Sequence, residues 1–200
     1  MTLLALRAGV RCIQYRRKVG ANLRGDSHRD ASRRELYEEA LRLRMLTSDW
    51  GAALIVNDHA DIALAVGADG VHLGQEDLPL KEAKKIMGDK IIGVSTHSIE
   101  EAILAEEAKA DYIGYGPIFR TTTKDAGEPK GILALSEICR AVKIPVMAIG
   151  GITLESVPAV FSAGASAIAV ASAILKADTS ALKGDVEENA GEFMRKIHSL

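Results

Sequence analysis

Four times in 200 residues the chain ends a helical stretch on a small residue and passes at once into an apolar run. The joints are Arg7-Ala8-Gly9-Val10-Arg11-Cys12-Ile13, Val66-Gly67-Ala68-Asp69-Gly70-Val71-His72, Lys109-Ala110-Asp111-Tyr112-Ile113-Gly114 and Ala163-Gly164-Ala165-Ser166-Ala167-Ile168-Ala169. Glycine at a helix end adopts the left-handed cap conformation at little cost. A joint repeated in this way marks a β-α unit used over and over. The clearest unit spans Leu54 to Asp77: an apolar run, Leu54-Ile55-Val56, ends in Asn57-Asp58. A helical spacing follows at Ile62, Ala63, Ala65 and Val66. A second run, Val71-His72-Leu73, then ends in Gly74-Gln75-Glu76-Asp77. Two parallel strands would thus carry an acid at each carboxyl end.

The same pattern predicts strands at Val10–Tyr15, Ala53–Asn57, Gly70–Leu73, Ile91–Ser95, Tyr112–Gly116, Val146–Ile149 and Ala167–Ala171. Helices are expected between them. One spans Arg33 to Leu46, with Leu36, Ala40 and Leu43 on one stripe. A short one spans Lys81 to Met87. Another opens on a Ser98–Glu101 capping box and runs through Lys109. Further helices span Ala134 to Val142, Thr153 to Ala163 and Glu187 to His198. Val19–Asp30 and Thr121–Lys130 are polar and aperiodic, which in a compact domain suits functional loops. Continuous alternation of strand and helix argues an α/β fold of the (β/α)8 barrel type, in one domain over residues 1–200. Seven strands are found, and the chain starts on what would be the first helix, so the barrel's first strand is expected to be absent. An open doubly wound sheet is the runner-up, but it lacks an early Gly-x-Gly-x-x-Gly turn.

Composition narrows the function classes. Net charge is −2, which gives no reason to expect nucleic acid or membrane partners. No apolar run approaches the roughly 20 residues of a membrane span, and Met1-Thr2-Leu3-Leu4-Ala5-Leu6-Arg7 lacks a signal-peptide pattern. Two cysteines, Cys12 and Cys139, fit a reducing cytoplasm and are expected to be buried structural thiols. Aromatics make up only 4% while small apolar residues abound, as close packing of helices on a parallel sheet requires.

In such folds chemistry gathers at the carboxyl ends of strands. There the sequence places Gln14, Arg16 and Lys18 with period two, so on one side. Arg offers a fork and Lys a point charge, a combination suited to phosphate, although a solvated basic loop reads the same way. Asp58 and Asp77 end neighbouring strands and could share one magnesium ion that also takes a phosphate ligand. Taken singly, Asp58 could instead cap the next helix and Asp77 could be a solvated loop acid before Pro79. His72 is expected to be a hydrogen-bonded core residue. Ser95 could reach a phosphate or help start a helix. Thr121, Thr122, Thr123 and Lys124 form a polar cradle on a loop. Gly150-Gly151 and Ala171-Ser172 open the last two turns, where backbone N–H groups can face an anion. Glycines needed only for tight turns would look the same. Two anion sites, one cationic and metal-assisted and one built from backbone, suit a reaction joining a diphosphate to a monophosphate.

Val56-Asn57-Asp58, Val71-His72-Leu73-Gly74-Gln75-Glu76-Asp77, Gly93-Val94-Ser95, Gly114-Tyr115-Gly116-Pro117-Ile118-Phe119, Thr121-Thr122-Thr123-Lys124 and Ala148-Ile149-Gly150-Gly151-Ile152 together resemble the thiamine phosphate synthase family over nearly all of residues 8–175. The resemblance implies a TIM barrel that joins hydroxymethylpyrimidine diphosphate to a thiazole phosphate, releasing pyrophosphate. It implies that Gln14, Arg16, Lys18, Asn57, Ser95 and Lys124 bind the diphosphate substrate, with Arg16, Lys18, Lys124 and Ser95 acting on the departing group. Asp58 and Asp77 would hold Mg²⁺. Thr121, Thr123, Gly151, Ala171 and Ser172, with Thr122 in the same cradle, would hold the thiazole phosphate. The departures are the absent first strand, Arg17 in place of the usual acid, Arg120 in place of proline, and a loop after Lys124 that is one residue short and lacks a second lysine. A tautomerase-like isomerase and a non-catalytic phosphate-ligand binder are the alternatives. The reading allows a homo-oligomer paired through an exposed sheet edge.

Overall fold

The computed structural model describes residues 1–17, 32–121, 127–175 and 185–200. Its elements are α1 (Thr2–Arg7), β1 (Cys12–Tyr15), α2 (Arg33–Asp49), β2 (Ala53–Asn57), α3 (Ala60–Ala65), β3 (Gly70–Leu73), α4 (Leu80–Met87) and β4 (Ile91–Thr96), followed by α5 (Ile99–Glu107), β5 (Tyr112–Tyr115), α6 (Gly131–Ala141), β6 (Val146–Ile149), α7 (Val157–Ser162), β7 (Ala167–Ala169), α8 (Ser172–Leu175) and α9 (Val186–His198). Seven strands form one sheet in chain order, and every register determined is parallel. This is the β/α alternation and strand order of the barrel class. The chain divides into two compact units, Arg11–Ile92 and Gly93–Leu200, the latter joined by Leu3–Val10, so that the boundary falls within β4.

In the Arg11–Ile92 unit, one face of α2 packs on the sheet. Leu36 and Ala40 join Leu54, Val56, Val71, Leu73 and Ile92 in a single core, and Leu43 packs partly against it. The stripe read from the sequence is the buried one, and the helix runs three residues further, to Asp49. Its start is a full capping box at Ser32 and Glu35. Asp69 ties the joint before β3: its carboxylate accepts from the Leu54 N–H at 2.7 Å and from Arg44 at 2.7 Å. Gly70 begins β3 where no side chain fits, since a Cβ there would lie 2.3 Å from the Ile91 carbonyl oxygen.

In the other unit, β4, β5, β6 and β7 pair with Gly93 opposite Tyr112, Ile113 opposite Val146 and Ile149 opposite Ala169. A Cβ on Gly93 would meet the Tyr112 ring at 2.0 Å. The core includes Ile113, Ile118, Leu135, Ile138, Val157 and Phe193.

Three expectations are corrected. The Ser98–Glu101 capping box is half formed: the Ser98 hydroxyl accepts from the Glu101 N–H, but the Glu101 carboxylate takes the His97 N–H instead. The helix expected from Thr153 starts at Val157, because Pro158 suits a first turn only and residues 153–156 close a turn of their own. Cys12 is exposed, on the side of β1 shared with Gln14, and Cys139 is partly exposed; no disulfide joins them. The polar loops at Val19–Asp30 and Thr121–Lys130 lie mostly outside the described residues.

Gly70→Ala should destabilise the protein by about 1–3 kcal/mol, the usual range for overpacking where backbone must shift. Urea unfolding of the variant against the parent checks this, with no loss as the refuting result.

Candidate functional site

The strand register of β2 and β3 builds the site in the Arg11–Ile92 unit. Asn57 pairs with His72 as the last pair of the ladder. The Asp58 N–H then donates to the His72 carbonyl at 2.8 Å, carrying the pairing one residue past the strand. Asp58 adopts φ 65°, a left-handed conformation that Asp and Asn tolerate better than most residues. The chain turns sharply there: the His59 N–H returns to the Asn57 carbonyl at 2.8 Å, and α3 begins at Ala60. Asp58 does not cap that helix, whose N-cap is His59 and which has no side-chain cap bond. Its carboxylate accepts instead from the Asn57 side-chain amide.

Asp77 is held by its own turn. Its carboxylate accepts the Gly74 N–H at 2.6 Å, and its N–H donates to the Gly74 carbonyl at 3.3 Å. It is half-buried rather than a solvated loop acid. The two carboxyls meet: Asp58 is pushed above the usual carboxylate range by desolvation first, then by its hydrogen bond to Asp77 and the charge of Asp77. Asn57 and the Arg16 guanidinium pull in the other direction. The charge of Arg16 also reaches His72, which is buried and held neutral, its pKa lowered to about 4 by desolvation first and Arg16 second. Arg16 and Gln14 are exposed at the end of β1.

The structure therefore brings together Arg16, Asn57, Asp58 and Asp77, with His72 beneath them. The sequence marked His72 only as a core residue, since a histidine inside a strand carries no local sign of what its neighbours will be. In the other unit, Ser95 pairs with Gly114 near the end of β4 and does not start a helix, a task Ser98 performs. Gly150 and Gly151 have φ 95° and 66°. A Cβ on Gly151 would lie 2.5 Å from the Arg120 carbonyl oxygen, and the Phe119 N–H donates to the Gly150 carbonyl at 3.0 Å. The segment leading to Thr121 thus packs against the glycine turn. That crowding alone accounts for the glycines. Ile149 pairs with Ala169, so the turns at Gly151 and at Ala171-Ser172 leave adjacent strands at one level, with Ser172 opening α8. Lys18, Thr122, Thr123 and Lys124 lie outside the described residues.

The carboxyl pair sets a pH dependence. A carboxyl whose folded-state pKa is raised is harder to ionise than in the unfolded chain. Its ionisation therefore costs stability above the raised value, and the cost vanishes as pH falls below the unfolded value near 4. Asp58→Asn removes the charge and keeps a residue suited to φ 65°. In metal-free protein the variant should melt higher than the parent at pH 7.5, with the gain gone by about pH 4. Thermal melts across that range check it; an equal or lower melting temperature at pH 7.5 refutes it.

Comparison with known proteins gives the family. The thiamine monophosphate synthase family matches residues 2–174. The thiamine-phosphate synthase of Chloroflexus aurantiacus is 48% identical over 175 residues, 87% of this chain and 76% of that protein. That of Shouchella clausii is 47% identical over 191 residues, 92% of this chain and 86% of that protein. Among solved structures, thiamine phosphate pyrophosphorylase from Pyrococcus furiosus superposes with a TM-score of 0.85 at 40% identity, covering 98% of this chain and 87% of that one. By sequence match across most of its length and by fold, this chain belongs to the thiamine monophosphate synthase family.

Proposed function

We propose that the chain is a thiamine-phosphate synthase, a transferase that condenses hydroxymethylpyrimidine diphosphate with hydroxyethylthiazole phosphate to give thiamine phosphate and pyrophosphate. One observation carries the reading: Asp58, Asp77 and Arg16 converge at adjacent strand ends in a chain of this family. The carboxylate pair has no task in an isomerisation that handles no diphosphate. No helix among the described residues is long and apolar enough to cross a membrane. Two unpaired cysteines suit a cytoplasmic setting.

The donor set fits Mg²⁺. Both groups are hard oxygen donors, and a divalent cation would offset the desolvation, and then the nearby Asp77 charge, that make Asp58 hard to ionise. Among the described residues no cluster of three or more His, Cys, Asp or Glu side chains could enclose a metal. Two carboxylates would leave room for water and phosphate oxygens, which Mg²⁺ prefers as its other ligands. Bound there, Mg²⁺ would neutralise charge on the departing pyrophosphate.

The chain's own groups do the rest. Arg16 presents its guanidinium fork to the diphosphate, with Lys18 and Lys124 as further cations. Gln14, Asn57 and Ser95 hydrogen-bond the same substrate. The C–O bond to the diphosphate breaks, with its electron pair leaving on oxygen. The pyrimidine-stabilised carbon is then captured by the lone pair of the thiazole nitrogen. Thr121, Thr122, Thr123, Gly151, Ala171 and Ser172 hold the thiazole phosphate so that this nitrogen is in place, and positioning supplies most of the remaining rate.

Asp77→Ala should reduce Mg²⁺-dependent formation of thiamine phosphate by at least about 100-fold while the melting transition stays cooperative, since Asp77 lies outside the apolar core and its loss removes the local turn bond to Gly74 without opening that core. Product assays with Mg²⁺ and with EDTA check this, and retained activity would remove Asp77 from the metal site. Ser172→Asp should raise the KM for the thiazole phosphate by about tenfold or more through like-charge repulsion, leaving the KM for the pyrimidine diphosphate unchanged. An unchanged thiazole KM would misplace the monophosphate site.

A further inference from the structure

We infer that Glu39, on the helix behind β1, is a positioning residue that aims Arg16 at the carboxylate pair and thereby sets affinity for the diphosphate-bearing substrate. The inference rests on the reading that Arg16 binds that diphosphate. The hydrogen-bonded ladder between β1 and β2 ends at Tyr15 opposite Val56, so Arg16 lies one residue beyond the last paired position. β1 is also the terminal strand of the sheet, with β2 as its neighbour among the described strands. What holds this end of the strand is a two-point clamp. The Tyr15 hydroxyl donates to Glu39 Oε2 at 2.7 Å, and Arg17 Nη1 donates to Glu39 Oε1 at 2.5 Å.

The geometry of extended chain turns that clamp into an aiming device. Successive side chains alternate, so Tyr15 and Arg17 share one side while Gln14 and Arg16 share the other. One carboxylate that grips residues 15 and 17 together fixes the rotation of the backbone about its own axis. The side chain between them is then pointed away from α2, toward Asp58 and His72, where its charge is felt. Glu39 is itself well placed to act as an anchor, because its chain neighbour Ala40 and nearby Leu36 are buried in the core and hold α2 against the sheet. Burial first, and the Glu39 hydrogen bond second, push the Tyr15 hydroxyl up, so it remains a donor at all working pH values. Arg17 stands where the resemblance expects an acid, and the charge it introduces is met by Glu39 across 22 positions of sequence.

The test is steady-state kinetics of the full chain with Mg²⁺ and both phosphorylated substrates. It compares the parent with Arg16→Ala, Glu39→Gln, Glu39→Ala, Glu39→Arg and the charge swap Arg17→Glu with Glu39→Arg. Glu39→Ala should raise the KM for the pyrimidine diphosphate about tenfold, with kcat and the thiazole phosphate KM within about twofold of the parent. Glu39→Gln, which still accepts from Tyr15, should lie between and serves if the alanine variant does not fold. The swap should recover most of the affinity lost in Glu39→Arg alone, which a merely structural residue would not show. Unchanged diphosphate KM, an equal rise in both KM values, or no recovery in the swap would overturn the inference. If Arg16→Ala leaves the diphosphate KM unaltered, the reading of Arg16 fails and this inference with it. If the parent makes no product, titration calorimetry with Mg²⁺ and pyrophosphate gives the same comparison, and equal affinity in parent and Glu39→Ala overturns it.

Discussion

Level pairing of parallel strands is the constraint from which the rest follows. A parallel strand exchanges its hydrogen bonds with a neighbour in evenly spaced steps, so one register fixes every residue that leaves the strand end. With Asn57 opposite His72, Asp58 has no freedom to sit elsewhere than one step past the ladder, bonded to the His72 carbonyl. With Ile149 opposite Ala169, the glycine turn and the start of α8 rise from the sheet side by side. The polar residues were chosen by chemistry, but their positions are consequences of packing Val56, Val71 and Leu73 out of water several residues away.

That packing carries a cost located at the site. Two carboxyls close together in a half-buried place repel, and a non-glycine residue at φ 65° is held against its backbone preference. The core and the bonds from Asn57, Gly74 and the His72 carbonyl keep the arrangement in place. Stability surrendered at two strand ends is the expected price of a site that waits for a cation and a polyanion.

Much of this was legible in the sequence, and the limits of legibility have a common cause. Strand ends at Asn57, Leu73 and Ile149 were readable because apolar runs stop where burial stops. The pairing of Asp58 with Asp77 was readable because a β-α repeat tells which strands are neighbours. The capping at Ser98 was only half right, since a carboxylate three residues on can choose between two adjacent N–H groups, and a pattern of residue types does not say which. The full box at Ser32 follows a long polar stretch that hid it. Cys12 was misjudged because its strand buries the alternate residues, Ile13 and Tyr15, and leaves Cys12 and Gln14 out. Glu39 and His72 act through partners far off in sequence, and no local pattern encodes such contacts.

The missing side chain of Gly93 has a meaning beyond space filling. The Tyr112 ring occupies the volume that any larger residue at position 93 would need, and the two residues are partners across β4 and β5. A slip of one position would bring Val94 or Ile92 against that ring, and neither leaves room for it. The absence of a few atoms thus works as a keyway, in which only one alignment of the two strands admits the key. Alignment errors, which a short four-residue strand such as β5 is poorly equipped to correct by hydrogen bonding alone, are rejected by shape before the loops beyond Ser95 and Tyr115 need to find their places.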